Sequence, residues 1–105
     1  MNEFNIIGKA LNKPEIKESE NGTQYSNLLV SVKKPFKNKD GEYDEEHFQF
    51  TLFKNLAQEA FESVDDGTAI IVRGHVSSNN YEKDGKTIYS SSLIADRISL
   101  LNLLY

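Results

Sequence analysis

A chain of 105 residues fits one domain with a modest core. Its 38% hydrophobic and 27% charged residues match an ordinary globular protein, and its longest stretch without a charged side chain, residues 21–32, falls well short of the ~20 apolar residues a membrane span needs. Having no cysteine, it makes no disulfide and no thiolate zinc site, and its net charge of −4 argues against the simplest nucleic-acid binder, which is basic throughout.

The opening MNEFNIIGKA lacks the basic leader and long apolar run of a signal peptide, so a cytoplasmic location is expected. Four of the six glycines follow Asn or Asp, at Asn21-Gly22, Asp40-Gly41, Asp66-Gly67 and Asp84-Gly85, and such dipeptides divide the chain at tight turns. Between them lie segments rich in β-branched and aromatic residues. The first strand candidate is 4–11 and the second is 24–34. The second runs into KKPFKNKDGEY, residues 33–43, where a ring stands among four lysines before a turn. Lys33, Lys34, Lys37 and Lys39 precede that turn, and Asp40, Glu42, Asp44, Glu45 and Glu46 crowd around and after it. Charge segregated in this way can build a local basic path on an acidic protein.

The third strand candidate, 47–53, reads HFQFTLF. A period of two puts Phe48, Phe50 and Leu52 on one face, which reads as core, and His47, Gln49, Thr51 and Phe53 on the other. Phe53 is then either a contact patch on a polar face or a rim residue tucked under the next element. Residues 54–64, KNLAQEAFESV, repeat Leu56, Ala57, Ala60, Phe61 and Val64 at spacings of three and four, with Gln58, Glu59 and Glu62 opposite. That pattern predicts one amphipathic helix of about three turns, stopped near Gly67. A fourth strand candidate covers 68–76, with His75 facing the same way as Arg73 and no partner evident. The aromatic-lysine device returns in NYEKDGKTIY, residues 80–89, which overlaps a fifth strand candidate at 87–101. No internal repeat, linker or low-complexity segment interrupts the single domain, 1–105.

Three strands, a helix and two strands is the order of an OB-fold: an all-β, five-stranded Greek-key barrel with one helix between strands three and four. In such a barrel the second and third strands form a ligand face, and the two aromatic-lysine loops fall where hairpins would close over a strand of nucleic acid. Single strands are held by cations along the phosphates and by rings against the bases, stacking contributing ~1–3 kcal/mol per base whatever the base. Phe36 and Tyr81 suit that role; the bland alternative folds each ring back onto its own hairpin. Catalysis finds no support. DGEYDEEH could be pictured as a nuclease metal site, but a charge run in a loop is more often a solvated turn, and there is no second cluster, Ser-His-Asp set or phosphate-binding glycine loop. No cofactor is expected.

Taken in order, MNEFNIIGKAL, KPEI leading to ENGT, VSVKKPFKNKDGEY, FKNLAQEA, DDGTAIIVRGHV and NYEKDGKTIY resemble the bacterial and phage single-stranded-DNA-binding protein family over nearly the whole chain. The resemblance implies an OB-fold that binds single-stranded DNA with little sequence preference. It also implies a homo-oligomer, a tetramer before a dimer, that coats DNA during replication, recombination and repair and meets the proteins of those processes. Carried over by position, the base-stacking rings fall on Phe36, Phe53 and Tyr81, with His47 where the family has a large aromatic. Phe48 is excluded there because it lies on the face opposite Phe53. The family's basic positions match Lys9 and Lys34; Lys37, Lys39, Lys83 and Lys86 stand in the closing loops, and Lys33, Lys54 and Arg73 complete the phosphate candidates.

Three departures mark this chain. Asp65 and Asp66 replace a basic pair after the helix. Ser77, Ser78, Asn79 and Asn80 replace basic residues before the loop tyrosine. The sequence ends at SLLNLLY, so no flexible linker and acidic tip are expected. These departures favour an alternative reading, a primosome or recombination adaptor that keeps the fold and acts mainly through protein contacts. A barrel for sugar or peptide has fold analogy alone behind it.

Overall fold

The computed structural model describes residues 1–101. Along them run β1 (Phe4–Ala10), β2 (Lys17–Glu18), β3 (Gln24–Lys37), β4 (Tyr43–Phe53), α1 (Asn55–Ser63), β5 (Ala69–Ser78), β6 (Tyr81–Lys83), β7 (Lys86–Ile88) and β8 (Ser91–Leu100). The main sheet has the order β1-β5-β8-β4-β3, and a further β1–β3 pairing closes it into a five-stranded barrel. Four junctions are antiparallel, and β4 runs parallel to β8 through Phe50–Leu93 and Thr51–Ile94. The short β2 pairs with the start of β3, and β6–β7 forms a separate hairpin. Counting barrel strands alone, the helix lies between the third and fourth, as the sequence predicts.

Alternation along the strands builds the core. Leu28, Val30, Phe50, Leu52, Ile70 and Val72 point inward and are fully buried, with Phe4 and Phe48 packed at the margin of Phe50. The helix lays Ala57 and Ala60 against β3, β4 and β8. Phe61, read from the pattern as part of the apolar stripe, is instead 40% exposed at its edge, with the Lys13 ammonium 5.3 Å from its ring centre.

Two glycines allow the barrel to close. A Cβ on Gly74 would stand 1.9 Å from the Ile94 carbonyl oxygen and 2.7 Å from the Phe4 ring, and one on Gly8 would stand 2.4 Å from the Ser31 carbonyl oxygen. Neither position has room for a side chain.

The structure departs from the sequence reading at several points. β4 begins at Tyr43, before the 47–53 segment, because Lys37 and Tyr43 still pair after a bulge in β3. The 87–101 segment is two elements, β7 ending at Ile88 and β8 starting at Ser91. His75 also has a partner: its Nδ1 lies 2.8 Å from Asp96 Oδ2. The register of β5 against β8 slips between Arg73–Arg97 and Gly74–Ala95, which leaves Asp96 as an extra, bulged residue turned toward His75. Period two alone cannot foresee a bulge.

The radius of gyration is 15.8 Å, against about 13 Å for a compact chain of this length. The two hairpins that stand off the barrel lengthen the molecule. No helix among the described residues is long and apolar enough to cross a membrane. Residues 102–105, which include most of the terminal SLLNLLY, lie outside the described part.

Candidate nucleic-acid interface

The outward residues of β3 and β4 form a ladder of facing pairs: Tyr25–Phe53, Asn27–Thr51, Leu29–Gln49, Ser31–His47 and Lys33–Glu45. Directly paired residues share a face, so these side chains make one surface. β1 extends it, because Lys9 pairs with Ser31 and the row Lys9–Ser31–His47 crosses three strands. His47 and Phe53 stand six residues apart on β4, about 20 Å along the strand. A groove of about 600 Å³ opens beside the row, lined by Gly8, Lys9, Ser31, Val32, Lys33 and Glu45.

Phe53 is 43% exposed and faces Tyr25 across the ladder. Beside it lies a shallow hollow of about 490 Å³ bordered by Ser19, Glu20, Asn21 and Thr23. It is thus neither buried under the helix nor fully free, and its ring forms the floor of one end of the face. Lys54, the next residue, enters the helix at φ 55° and ψ −124° with no side-chain cap, and its side chain is exposed.

The β3–β4 hairpin is held by Asn38. Its Oδ1 accepts from the Asp40 and Glu42 amides at 2.9 and 3.0 Å, while its Nδ2 donates to Asp44 Oδ1 at 2.9 Å. Gly41 takes φ 80° in the turn. Between the Lys33–Glu45 and Lys37–Tyr43 pairs, β3 carries two residues more than β4, and Phe36 sits in this bulge, 78% exposed. The ring therefore does not fold onto its hairpin. Lys37 reaches instead over Tyr43, 5.8 Å from its ring centre, and Lys34 and Lys39 are exposed on either side.

In the β6–β7 hairpin the turn residues Asp84 and Gly85 take φ 52° and 77°, the left-handed pair that a two-residue turn requires. Lys83 and Lys86 face each other directly at the tip, and Tyr81, at the base, is 53% exposed. Two like charges opposed on a hairpin repel. They gain from an anion between them.

The remaining basic candidate is committed differently. Arg73 lies on the outer side of β5, where its Nε donates to Asn5 Oδ1 at 3.0 Å and approaches Glu3 Oε1 at 3.9 Å. That places it around the barrel from the β3–β4 face. Lys33 has Glu45 directly opposite. One of the two acids after the helix, Asp65, has a partner: Lys13 Nζ donates to the Phe61 carbonyl at 3.0 Å and to Asp65 Oδ1 at 3.2 Å. The cation that a helix C-terminus favours comes here from the loop after β1. The sequence reading missed Lys13, together with three tyrosines: Tyr25 opposite Phe53, Tyr43 beneath Lys37, and Tyr89 past the end of β7. Pairing register would have revealed the first two. Among the described residues no group of His, Cys, Asp or Glu side chains converges as a metal site, and Asp44 is engaged by Asn38.

A closed five-stranded barrel carrying exposed rings and lysines on one face and two hairpins defines an OB-fold of the nucleic-acid-binding kind. The chain belongs to the Single-strand binding protein family, which it matches over residues 1–101. That family consists of DNA-binding proteins, not enzymes. Curated relatives include the single-stranded DNA-binding protein of Oceanobacillus iheyensis, 24% identical over 96% of this chain and 63% of its own length. Single-stranded DNA-binding protein 3 of Listeria innocua is 28% identical over 96% of this chain and 64% of its own length. The chain thus spans somewhat less than two thirds of these relatives. Among solved structures, a deletion mutant of the single-stranded DNA binding protein from Thermus aquaticus shares the fold, with a TM-score of 0.77 at 21% identity over 98% of this chain and 51% of that one.

Proposed function

We propose that this protein binds single-stranded DNA without sequence preference. The strand lies along the outer face of β3 and β4, and the two hairpins close over it. Phe36, His47, Phe53 and Tyr81 stack on bases, and Lys9, Lys34, Lys37, Lys39, Lys54, Lys83 and Lys86 follow the phosphates, with Lys33 and Arg73 as weaker contributors because of their acidic neighbours. The observation that carries this reading is the continuity of one surface across β1, β3 and β4: the Lys9–Ser31–His47 row and the Phe53 end of the ladder, with the exposed Phe36 ring in the hairpin that β3 and β4 share. Tyr81 stands exposed on the separate β6–β7 hairpin. Rings that cost free energy to expose, set beside lysines in an acidic protein, fit a ligand with both stacked bases and negative charge.

In this role the protein coats and protects DNA exposed in replication, recombination and repair, in the cytoplasm of a bacterium or of a phage host. It acts as a homo-oligomer, a tetramer before a dimer, and meets the proteins of those processes. Support for assembly comes from β1. It is laddered to β5 from Phe4 to Lys9 but to β3 at Lys9 and Ala10 alone, so its outer edge from Phe4 to Ile7 is open to another strand.

The test is a titration with an unlabelled single-stranded oligonucleotide, and separately with a duplex, followed by the fluorescence of the five tyrosines in a chain without tryptophan. Sub-micromolar binding to the single strand with weak duplex binding is the expected result. No binding at low salt would overturn the reading and leave the adaptor, which acts through protein contacts.

A further inference from the structure

The face just described does not use every exposed ring. Tyr89 is 78% exposed, as fully as Phe36, and stands where the β6–β7 hairpin returns to the barrel. There it lines a groove of about 460 Å³ with Asn2, Val76, Ser78, Asn80 and Ser91, none of them charged. The groove is built from groups fixed by their own hydrogen bonds. The Asn2 side chain clamps the Val76 backbone from both directions, donating to its carbonyl at 2.6 Å and accepting from its amide at 2.9 Å. The Ser78 hydroxyl donates to Asn80 Oδ1 at 3.0 Å, which leaves the Asn80 amide nitrogen as the outward donor. The Asn79 amide donates to the Ser90 carbonyl at 2.7 Å, and its side chain bonds the Ser92 hydroxyl.

An uncharged groove with one free ring, a fixed carboxamide and several hydroxyls does not suit a phosphate, which wants a cation. It does suit a nucleobase, whose flat face stacks on tyrosine and whose edge carries donors and acceptors for Asn and Ser. We propose that this groove is a subsite for one unstacked base of the bound single strand, with Tyr89 as its stacking platform and Asn80 at the base edge. The proposal rests on the single-strand reading above and extends the strand's path. Tyr81 pairs with Ile88 at the base of the hairpin, and Tyr89 follows Ile88 just past the end of β7. The strand passes Tyr81 and continues past the base of the hairpin to Tyr89. The Ser77–Asn80 segment, which lacks the basic residues of the resembling family, becomes the polar wall of a base site instead of a phosphate track.

The test compares wild type, Tyr89→Ala and Tyr89→Phe in titrations with an oligothymidine strand at several salt concentrations, together with photocrosslinking of a 5-iodouracil-substituted strand. Tyr89→Ala should weaken binding by roughly tenfold, in line with the loss of one stacked base. Its salt slope should equal that of wild type, because no phosphate contact is lost. Tyr89→Phe should bind as wild type does, and the crosslinked peptide of the wild type should contain Tyr89. Wild-type affinity in Tyr89→Ala, a shallower salt slope in that variant, or crosslinks confined to other peptides would overturn the subsite while leaving the β3–β4 face intact. A wild-type protein that binds no single strand would bring down the single-strand reading itself, and this inference with it.

Discussion

His47 shows how one residue can set a property of the whole interface. It stands at the centre of the outer face, with Ser31 opposite, Lys9 beyond Ser31, and the Lys33–Glu45 pair next along the ladder. An imidazole can stack on a base as a larger aromatic does, though with a smaller face. His47→Phe should therefore bind an oligonucleotide at least as tightly as wild type, and His47→Ala about tenfold more weakly, as read by fluorescence titration. Wild-type affinity in His47→Ala would take this residue off the DNA path.

A second prediction at this scale concerns Lys54. A non-glycine residue at φ 55° and ψ −124° stores on the order of 1–3 kcal/mol of backbone strain. Lys54→Gly should raise stability by about 1 kcal/mol in urea denaturation, part of the relief being offset by the greater freedom of glycine in the unfolded chain. If Lys54 touches phosphate, the same variant should bind DNA less well, so stability and affinity move in opposite directions. An unchanged midpoint would mean that the backbone relaxes at no cost.

At the scale of the element, legibility followed periodicity. The inward set Phe48, Phe50 and Leu52 and the outward set His47, Gln49, Thr51 and Phe53 were readable because a strand alternates strictly, and their burial follows that alternation. The turns were readable because Asn-Gly and Asp-Gly carry their own dihedral preference. What sequence could not supply was whatever depends on a neighbour: the bulge that sends Asp96 to His75, the reach of Lys13 to the helix end, and the groove behind Tyr89. Each arises from two segments distant in the chain.

The β3–β4 hairpin carries its own prediction. Lys34 and Lys37 flank its bulge without a carboxylate among the ion pairs of the described residues. Each phosphate contact contributes about −0.7 to the slope of log affinity against log salt. Replacing both lysines with alanine should therefore flatten that slope by roughly one unit or more, and an unchanged slope would put the DNA on another path. For the β5–β8 ribbon the corresponding test is packing. Gly74→Ala sets a methyl against the Ile94 carbonyl and should destabilise by about 1–3 kcal/mol in thermal unfolding, with little effect expected from alanine at the open turn position Gly41 beyond its positive φ.

For the molecule as a whole, the acidic total and the basic path are compatible because the charges are sorted by location. The Asp44 carboxylate beside the β3–β4 turn is engaged by Asn38, and the outward pairs of the β3–β4 ladder carry one acid, Glu45. Assembly is the property to measure first. Light scattering at micromolar concentration should report an oligomer, and a monomer there would count against the coat.

The closure of the barrel has a further consequence, in time rather than in space. β1 joins β3 through Lys9–Ser31 and Ala10–Val30, a short seam beside the long ladders of β3–β4 and β5–β8. A short ladder opens first, so the amide hydrogen of Leu11, which is donated to the Leu29 carbonyl of β3, should exchange with solvent sooner than those of the β5–β8 ribbon. A DNA strand running from Lys9 to His47 lies across that seam. It would act as a fastener, and the amides along the seam should slow on adding oligonucleotide while those of the helix stay as they were.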